Sequence, residues 1–259
     1  MRLRSINMRT LEVLFAPAEF AALPQRDLRQ TVCVVFDILR ATSTIITALG
    51  NGAKAVIPVT DIAEALEQRR RQPDVLLAGE RDGVRIRGHL TGEVDFDLGN
   101  SPREFSVAKV AGKTIVTTTT NGTRALLSCA YARRIFPCAF LNLRATTAFV
   151  ERCVPDDLLL VCSGTGEHAA LEDALAAGAM CDLLMEHSDD IQAGDSALMA
   201  REHFRRERTD LAAAVSRAKN GRRLLANPHL RADVAWCLQQ DVFVLVAEMD
   251  SNGVIRRTT

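Results

Sequence analysis

The sequence predicts an α/β protein, built on a mainly parallel β-sheet with helices on both faces in a three-layer α/β/α arrangement. Three observations carry that expectation. Short β-branched, apolar runs recur along the 259 residues, alanine-rich stretches with helical periodicity separate them, and several runs are apolar at every position. Strands read this way when helical crossovers cover the sheet on both sides. With 47% apolar and 25% charged residues, the chain has the make-up of an ordinary globular protein large enough for a substantial core in one or two domains.

In chain order the expected strands are 11–15, 32–36, 55–59, 75–79, 114–118, 135–140, 158–162 and 242–247. The expected helices are 44–49, 62–71, 123–130, 147–153 and 171–185, and 195–240 reads as mostly helical, closed by Asn227-Pro228. The segment 80–102, rich in Gly and Asp, is the one long loop, and loops of that length are often functional. No low-complexity linker interrupts the chain. The expectation is one α/β unit over 10–259 after an N-terminal extension, 1–9, with a division into two α/β lobes left open.

Basic and acidic side chains number 32 each, so the net charge is zero. That excludes a general nucleic-acid binder or a polybasic membrane-surface protein, both of which need a positive excess. No apolar run approaches the ~18 residues of a membrane span. A signal peptide opening on Met1-Arg2-Leu3-Arg4 is interrupted by Glu12 and Glu19. The seven cysteines include no Cys-x-x-Cys pair, and several sit inside apolar runs. They read as reduced, buried thiols of a cytoplasmic protein. Assembly into a homo-oligomer is left open.

Ligands of a parallel α/β sheet collect at the carboxyl ends of its strands. Three strand ends here carry unusual chemistry. In Val35-Phe36-Asp37-Ile38-Leu39-Arg40-Ala41-Thr42-Ser43-Thr44 an acid leaves the strand, an arginine follows three residues later, and hydroxyls open the next helix. Asp37 there can bind a metal or attack phosphorus, while Arg40, Thr42 and Ser43 hold an anion. An Asp37–Arg40 pair beside a Ser/Thr helix cap is the plain structural alternative.

In Thr117-Thr118-Thr119-Thr120-Asn121-Gly122-Thr123-Arg124 the threonines suit a strand, and Asn121-Gly122 suits a tight turn that points N–H groups outward as an anion nest. The third strand end is Val161-Cys162-Ser163-Gly164-Thr165-Gly166-Glu167-His168-Ala169-Ala170-Leu171-Glu172-Asp173. Its Gly-x-Gly-x-x-Ala loosely matches a dinucleotide fingerprint, which needs an acid ending a second strand ~20 residues on. Asp189 has that spacing but follows a helical pattern. Glu172 and Asp173 are the better candidates, as metal or water contacts.

Glu80-Arg81 reads as an ion pair or as part of a site, Asp95 and Asp97 as turn residues, and Asn100-Ser101-Pro102 as a helix start. Among the five histidines only His168 lies near a proposed site. Gly-x-x-x-x-Gly-Lys-Ser/Thr and Gly-x-Ser-x-Gly do not occur, and Asp37-Ile38-Leu39 lacks the second acid of Asp-x-Asp, which sets aside the chemistries built on them.

At these residues the chain resembles the ComB family, magnesium-dependent 2-phosphosulfolactate phosphatases. The stretches that carry the resemblance are Phe36-Asp37-Ile38-Leu39-Arg40-Ala41-Thr42-Ser43-Thr44, Ala78-Gly79-Glu80-Arg81 and Asp97-Leu98-Gly99-Asn100-Ser101-Pro102-Arg103-Glu104. They continue with Thr118-Thr119-Thr120-Asn121-Gly122-Thr123 and Leu171-Glu172-Asp173 before Ala177-Gly178-Ala179, with Asp241-Val242 near the C-terminus. Two departures stand out. Ala169-Ala170 replaces an aromatic-Ser pair, and the Arg81–Asn100 loop is longer, through Gly88-His89-Leu90-Thr91-Gly92-Glu93.

The resemblance implies a three-layer α/β fold, a place in coenzyme M biosynthesis, and hydrolysis of a small anionic phosphate ester with Mg²⁺, most directly 2-phosphosulfolactate. On that reading Mg²⁺ sits on Asp37 with help from Glu172 or Asp173, and Asp37 is either the nucleophile or the group that orients a metal-bound water. Arg40 joins Asp37, Glu172 and Asp173 as a catalytic residue. Substrate contacts fall to Thr42, Ser43, Glu80, Arg81, Asn100, Ser101, Thr119, Asn121, Gly122, Thr123 and Gly164, with Arg124 a further source of positive charge. A non-catalytic binder of phosphorylated or sulfonated acids, and a dinucleotide-binding oxidoreductase, are the alternatives.

Overall fold

A computed structural model describes residues 10–258 except 93, 154 and 189, so the extension 1–9, Glu93 and Asp189 lie outside the described residues. The strands are β1 (Thr10–Leu14), β2 (Thr31–Phe36), β3 (Ala55–Pro58), β4 (Leu76–Arg81), β5 (Val84–Arg85), β6 (Thr114–Thr118), β7 (Arg134–Cys138), β8 (Asp157–Cys162), β9 (Val246–Met249) and β10 (Ile255–Thr258). The first helices are α1 (Pro17–Phe20), α2 (Ala41–Gly50), α3 (Ile62–Arg71), α4 (Gly88–Thr91), α5 (Val107–Val110) and α6 (Gly122–Ser128). Then follow α7 (Leu143–Cys153), α8 (Leu171–His187), α9 (Asp195–Glu207), α10 (Leu211–Ser216), α11 (Lys219–Leu225) and α12 (Arg231–Cys237).

All ten strands join one mixed sheet in the order β1-β8-β2-β7-β9-β10-β3-β6-β4-β5. It consists of two parallel blocks, β1-β8-β2-β7 and β3-β6-β4, linked by the antiparallel hairpin β9–β10. Among the described residues each block meets that hairpin through a single residue pair, Ile135 with Met249 and Val56 with Ile255. Joins this short let the sheet twist sharply between blocks, and the carboxyl ends of β2, β8, β4 and β6 come to face one cleft.

Burial explains the central strands. Every residue of β2 is buried, as are the last five of β8, so both read as continuous apolar runs. Helix α3 starts where Asp61 accepts the Glu64 N–H at 2.8 Å, and it ends in Arg69-Arg70-Arg71 at the end of the helix dipole that favours cations. The edge of β1 is closed by the approach to α9, through Leu11 N–H to Gln192 O at 3.0 Å and Gly194 N–H to Leu11 O at 2.9 Å.

Two expectations need correction. The run 242–247 is not one strand: Asp241 and Phe243 donate to the carbonyls of Phe140 and Leu141, Val244 faces solvent, and β9 begins only at Val246. The segment 80–102 is not one loop either. β4 continues through Arg81 and turns at Asp82-Gly83, both at positive φ (55° and 79°), into β5. Asp-Gly is a strong hairpin signal, and it was present in the sequence.

Helices α8 and α9 pack closely because α8 is lined with small residues; a Cβ on Gly178 would sit 2.1 Å from the Ala200 carbonyl oxygen. Helix propensity alone favours Gly178→Ala by about 1 kcal/mol. The steric overlap is with backbone, so the variant should instead lose about 1–3 kcal/mol of unfolding free energy in a urea titration.

Candidate active site

The cleft has a volume of about 450 Å³, and its lining includes Asp37, Arg40, Glu80, Asn100, Thr119, Asn121, His168, Lys219, Asn220 and Arg223. Strands β2 and β8 run parallel in register from Thr31↔Asp157 to Phe36↔Cys162, so their exit turns lie side by side. Asp173, in the first turn of α8, bridges those turns. Its Oδ1 accepts the Ile38 N–H at 2.8 Å, and its Oδ2 accepts the Gly164 N–H and the Ser163 hydroxyl, each at 3.2 Å.

Asp37 leaves β2 with Oδ1 accepting the Ala41 N–H at 3.0 Å, at the start of α2. Its Oδ2 lies so near Gly122 that a Cβ there would stand 2.7 Å away. Only a glycine lets α6 begin against this carboxylate. Glu172 is buried beside them. Its Oε1 accepts from Asn220 Nδ2 at 2.6 Å, and its Oε2 is buried with no hydrogen-bond partner.

Glu80, at the end of β4, closes the group from the other block. It accepts Thr120 N–H and Oγ1, both at 3.0 Å, on Oε1, and Gly83 N–H at 2.7 Å on Oε2.

Burial sets the electrostatics of three of these acids. It pushes the Asp37 carboxyl up to about 6, with Glu80 and Glu172 adding repulsion against the bond from Ala41. Asp173 is raised well above the carboxylate range by burial and by the charges of Asp37 and Glu172. Glu172 is raised by burial, which outweighs the bond from Asn220. Arg40, the one buried arginine among the described residues, does not offset them. Its Nη1 is 2.6 Å from Asp233 Oδ2, and its Nη2 donates to Gly83 O at 2.9 Å. Among the described residues no three His, Cys, Asp or Glu side chains form a ready-made metal cage.

The structure thus brings Asp37, Arg40, Glu80, Glu172 and Asp173 together, with Asn100 and Asn121 at the cleft wall and Gly122 against Asp37. Others point elsewhere. Thr42 Oγ1 accepts the Asp37 N–H and donates to the Asp37 carbonyl, both at 3.0 Å, and Ser43 Oγ donates to Ile38 O at 2.8 Å, so both hydroxyls brace the turn. Ser101 Oγ donates to Asp233 Oδ1 at 2.7 Å, behind the wall. Thr119 and Thr123 bond each other: each hydroxyl accepts the other's N–H, at 3.1 and 3.2 Å, which closes much of the expected nest.

The Asp37–Arg40 pair does not form, because Arg40 belongs to Asp233. Among the described residues Arg81 pairs with no carboxylate; it donates to the Glu80 carbonyl at 2.7 Å and to Thr118 Oγ1 at 3.2 Å. Arg124 turns outward to Glu167 at 3.0 Å. Gly164 and Gly166, both at positive φ, give their N–H groups to Asp173 and Asn121. A dinucleotide phosphate would need those groups free. Asp97, read as a turn residue, accepts the Leu77 N–H at 2.7 Å.

Sequence reasoning missed Asp233, Asn220, Lys219 and Arg223. All four come from the 195–240 segment, which carried no strand end and hence no motif. An Asp inside a helix whose neighbours are apolar, as in Ala232-Asp233-Val234, was the available signal for Asp233.

A family model described as 2-phosphosulpholactate phosphatase matches residues 19–252. A protein of Caldicellulosiruptor saccharolyticus named a probable 2-phosphosulfolactate phosphatase is 38% identical over 225 residues, covering 85% of this chain and 90% of that one. One of Thermotoga petrophila with the same name is 40% identical over 221 residues, covering 85% and 89%. One of Symbiobacterium thermophilum, also so named, is 36% identical over 234 residues, covering 90% and 97%.

Two tests follow from this geometry. Asp233→Ala leaves Arg40 buried and unpaired, and should cost about 3–5 kcal/mol in a denaturant titration. For Asp37, the fold binds the proton more tightly than the unfolded chain, whose value is 3.8 against about 6 in the fold. Its contribution to stability is present below the unfolded value and is lost as pH rises through about 6. In chelating buffer Asp37→Asn should therefore gain in unfolding midpoint relative to wild type between about pH 4 and pH 7. A difference that stays flat with pH would contradict the buried, repelled state of Asp37.

Proposed function

The chain belongs to the 2-phosphosulfolactate phosphatase family, and from that premise we propose that it hydrolyses the phosphate monoester of a small carboxylated or sulfonated acid with Mg²⁺. The leading substrate is 2-phosphosulfolactate, released as sulfolactate and inorganic phosphate. The observation that carries the reading is the acid floor of the cleft, where burial raises Asp37 and Glu172 and, among the described residues, neither makes an ion pair.

Magnesium fits that donor set. It takes hard oxygen ligands, commonly one or two carboxylates completed by waters and substrate phosphate oxygens. The orphaned Oε2 of Glu172 is a buried acceptor of the kind a cation satisfies. Asp37 and Glu172 are the residues that would hold the ion, while Asp173, with both oxygens already bonded, positions them. When bound, Mg²⁺ supplies positive charge to the phosphoryl oxygens, where phosphoryl transfer most needs it.

The chain's own groups do the rest. Arg40, held by Asp233, keeps its remaining N–H donors for a phosphoryl oxygen at the cleft wall. Asn100 and Asn121 offer neutral polar contacts. Asp37 either attacks phosphorus, breaking the ester P–O bond and forming an aspartyl phosphate that water then cleaves, or orients the water that attacks directly. The leaving oxygen takes its proton from water. Seven free thiols, six of them buried, support a reducing compartment, the cytoplasm. No helix among the described residues is long and apolar enough to cross a membrane.

The test is phosphate release from 2-phosphosulfolactate with Mg²⁺ and with chelator. Asp37→Asn should lower kcat by about 10³-fold or more while circular dichroism is unchanged. Near-wild-type turnover would remove Asp37 from the chemistry, and binding without release in wild type would favour a non-catalytic binder. Borohydride added during turnover reduces an aspartyl phosphate to the alcohol, so an attacking Asp37 is recovered as homoserine by mass spectrometry; a water-orienting Asp37 stays aspartate.

A further inference from the structure

Helix α11 brings two cations to the cleft that the phosphatase chemistry does not use. Lys219 and Arg223 stand four residues apart and both line the cleft. Like charges at that spacing repel on one helix face, and Lys219 sits in the first turn, the end of the helix that disfavours a cation. Neither makes an ion pair among the described residues, although Asp82 and Glu167 line the same cleft; Glu167 is committed to Arg124 at 3.0 Å.

The arrangement is nevertheless held firmly. Asn220, between them, is buried and donates at 2.6 Å to both Thr165 Oγ1 and Glu172 Oε1, which ties α11 to the acid floor. Across the cleft, the turn at Gly83 is left bare where the Arg223 guanidinium passes; a Cβ there would stand 3.1 Å from Arg223 Nη2. Two exposed cations without an ion pair among the described residues, on a helix tied through Asn220 to the acid floor, give the cleft two unlike ends.

We propose that Lys219 and Arg223 form a second anion subsite, which takes a carboxylate or sulfonate of the phosphate ester and makes the cleft select esters that carry an anion beyond the phosphate. The proposal rests on the phosphatase reading above and assigns the selection to α11. The phosphate lies toward Asp37 and Glu172, and the anionic tail reaches α11.

The test compares three esters of secondary alcohols. Isopropyl phosphate has a neutral tail, O-phospholactate adds a carboxylate, and 2-phosphosulfolactate adds a carboxylate and a sulfonate. In wild type kcat/KM should rise along that series. In the double variant Lys219→Gln/Arg223→Gln it should fall about 100-fold on 2-phosphosulfolactate, carried mainly by KM, and at least about tenfold more than on isopropyl phosphate. The charge-keeping variant Lys219→Arg/Arg223→Lys should recover most of that loss. Equal losses on all three esters, or no loss on any, would overturn the subsite.

A calorimetric titration with sulfolactate, which has no phosphate, separates this proposal from the phosphatase reading. Sulfolactate binding that the double variant abolishes supports the subsite even if wild type releases no phosphate from any ester, an outcome in which the phosphatase reading alone fails. Phosphate release with sulfolactate binding indifferent to both cations overturns the subsite and leaves the phosphatase reading standing.

Discussion

The carboxylate of Asp173 is the constraint on which the site depends. It ties together the exits of the two central strands, taking the Ile38 N–H from the β2–α2 turn and the Gly164 N–H from the β8–α8 turn. Those bonds are buried, and they fix the turns that carry Asp37 and Glu172. The cost of the arrangement is electrostatic. Three acids are buried together, and burial lifts each above its ordinary range, with repulsion from its neighbours adding to Asp37 and Asp173. On the function proposed above, a bound cation would offset that cost, and residues beside those that organise the turns would seat it.

The sheet serves this convergence. Two parallel blocks joined through single residue pairs at β9–β10 can twist against each other, so Glu80 from one block meets Asp37 from the other. The helical arm α10–α12 then closes the third side. Asp233 reaches Arg40 and Ser101, and Asn220 reaches Glu172 and Thr165, so both ends of the cleft are held by an element distant in sequence. Zero net charge is a sum over a chain whose cleft has an acidic floor and a basic rim.

Much of the fold was legible because burial writes itself into sequence. The runs 32–36 and 158–162 are apolar throughout and became the central strands, and 171–185 became most of α8. Strand β10 was not legible, since Ile255 alone carries the apolar signal among Arg256, Arg257 and Thr258. The run 242–247 misled because only Val246 and Ala247 join a ladder, while Phe243 packs on Gly50 and donates its N–H to the Leu141 carbonyl. For the site, strand-end acids such as Asp37 and Glu80 announced themselves through position. Hydroxyls did not reveal whether they face a ligand or their own backbone, and Thr42 and Ser43 face the backbone. Partners supplied by long-range packing, Asp233 and Asn220, left no local pattern to read.

The central claim is that a divalent cation belongs between Asp37 and Glu172. Anomalous diffraction from crystals grown with Mn²⁺, a stand-in for Mg²⁺ on hard oxygen ligands, locates that ion directly. The expected result is a single strong peak at the acid floor, bounded by the Asp37 carboxylate and Glu172 Oε2. Mn²⁺ bound only elsewhere, with the acid floor bare at a saturating concentration, would contradict it.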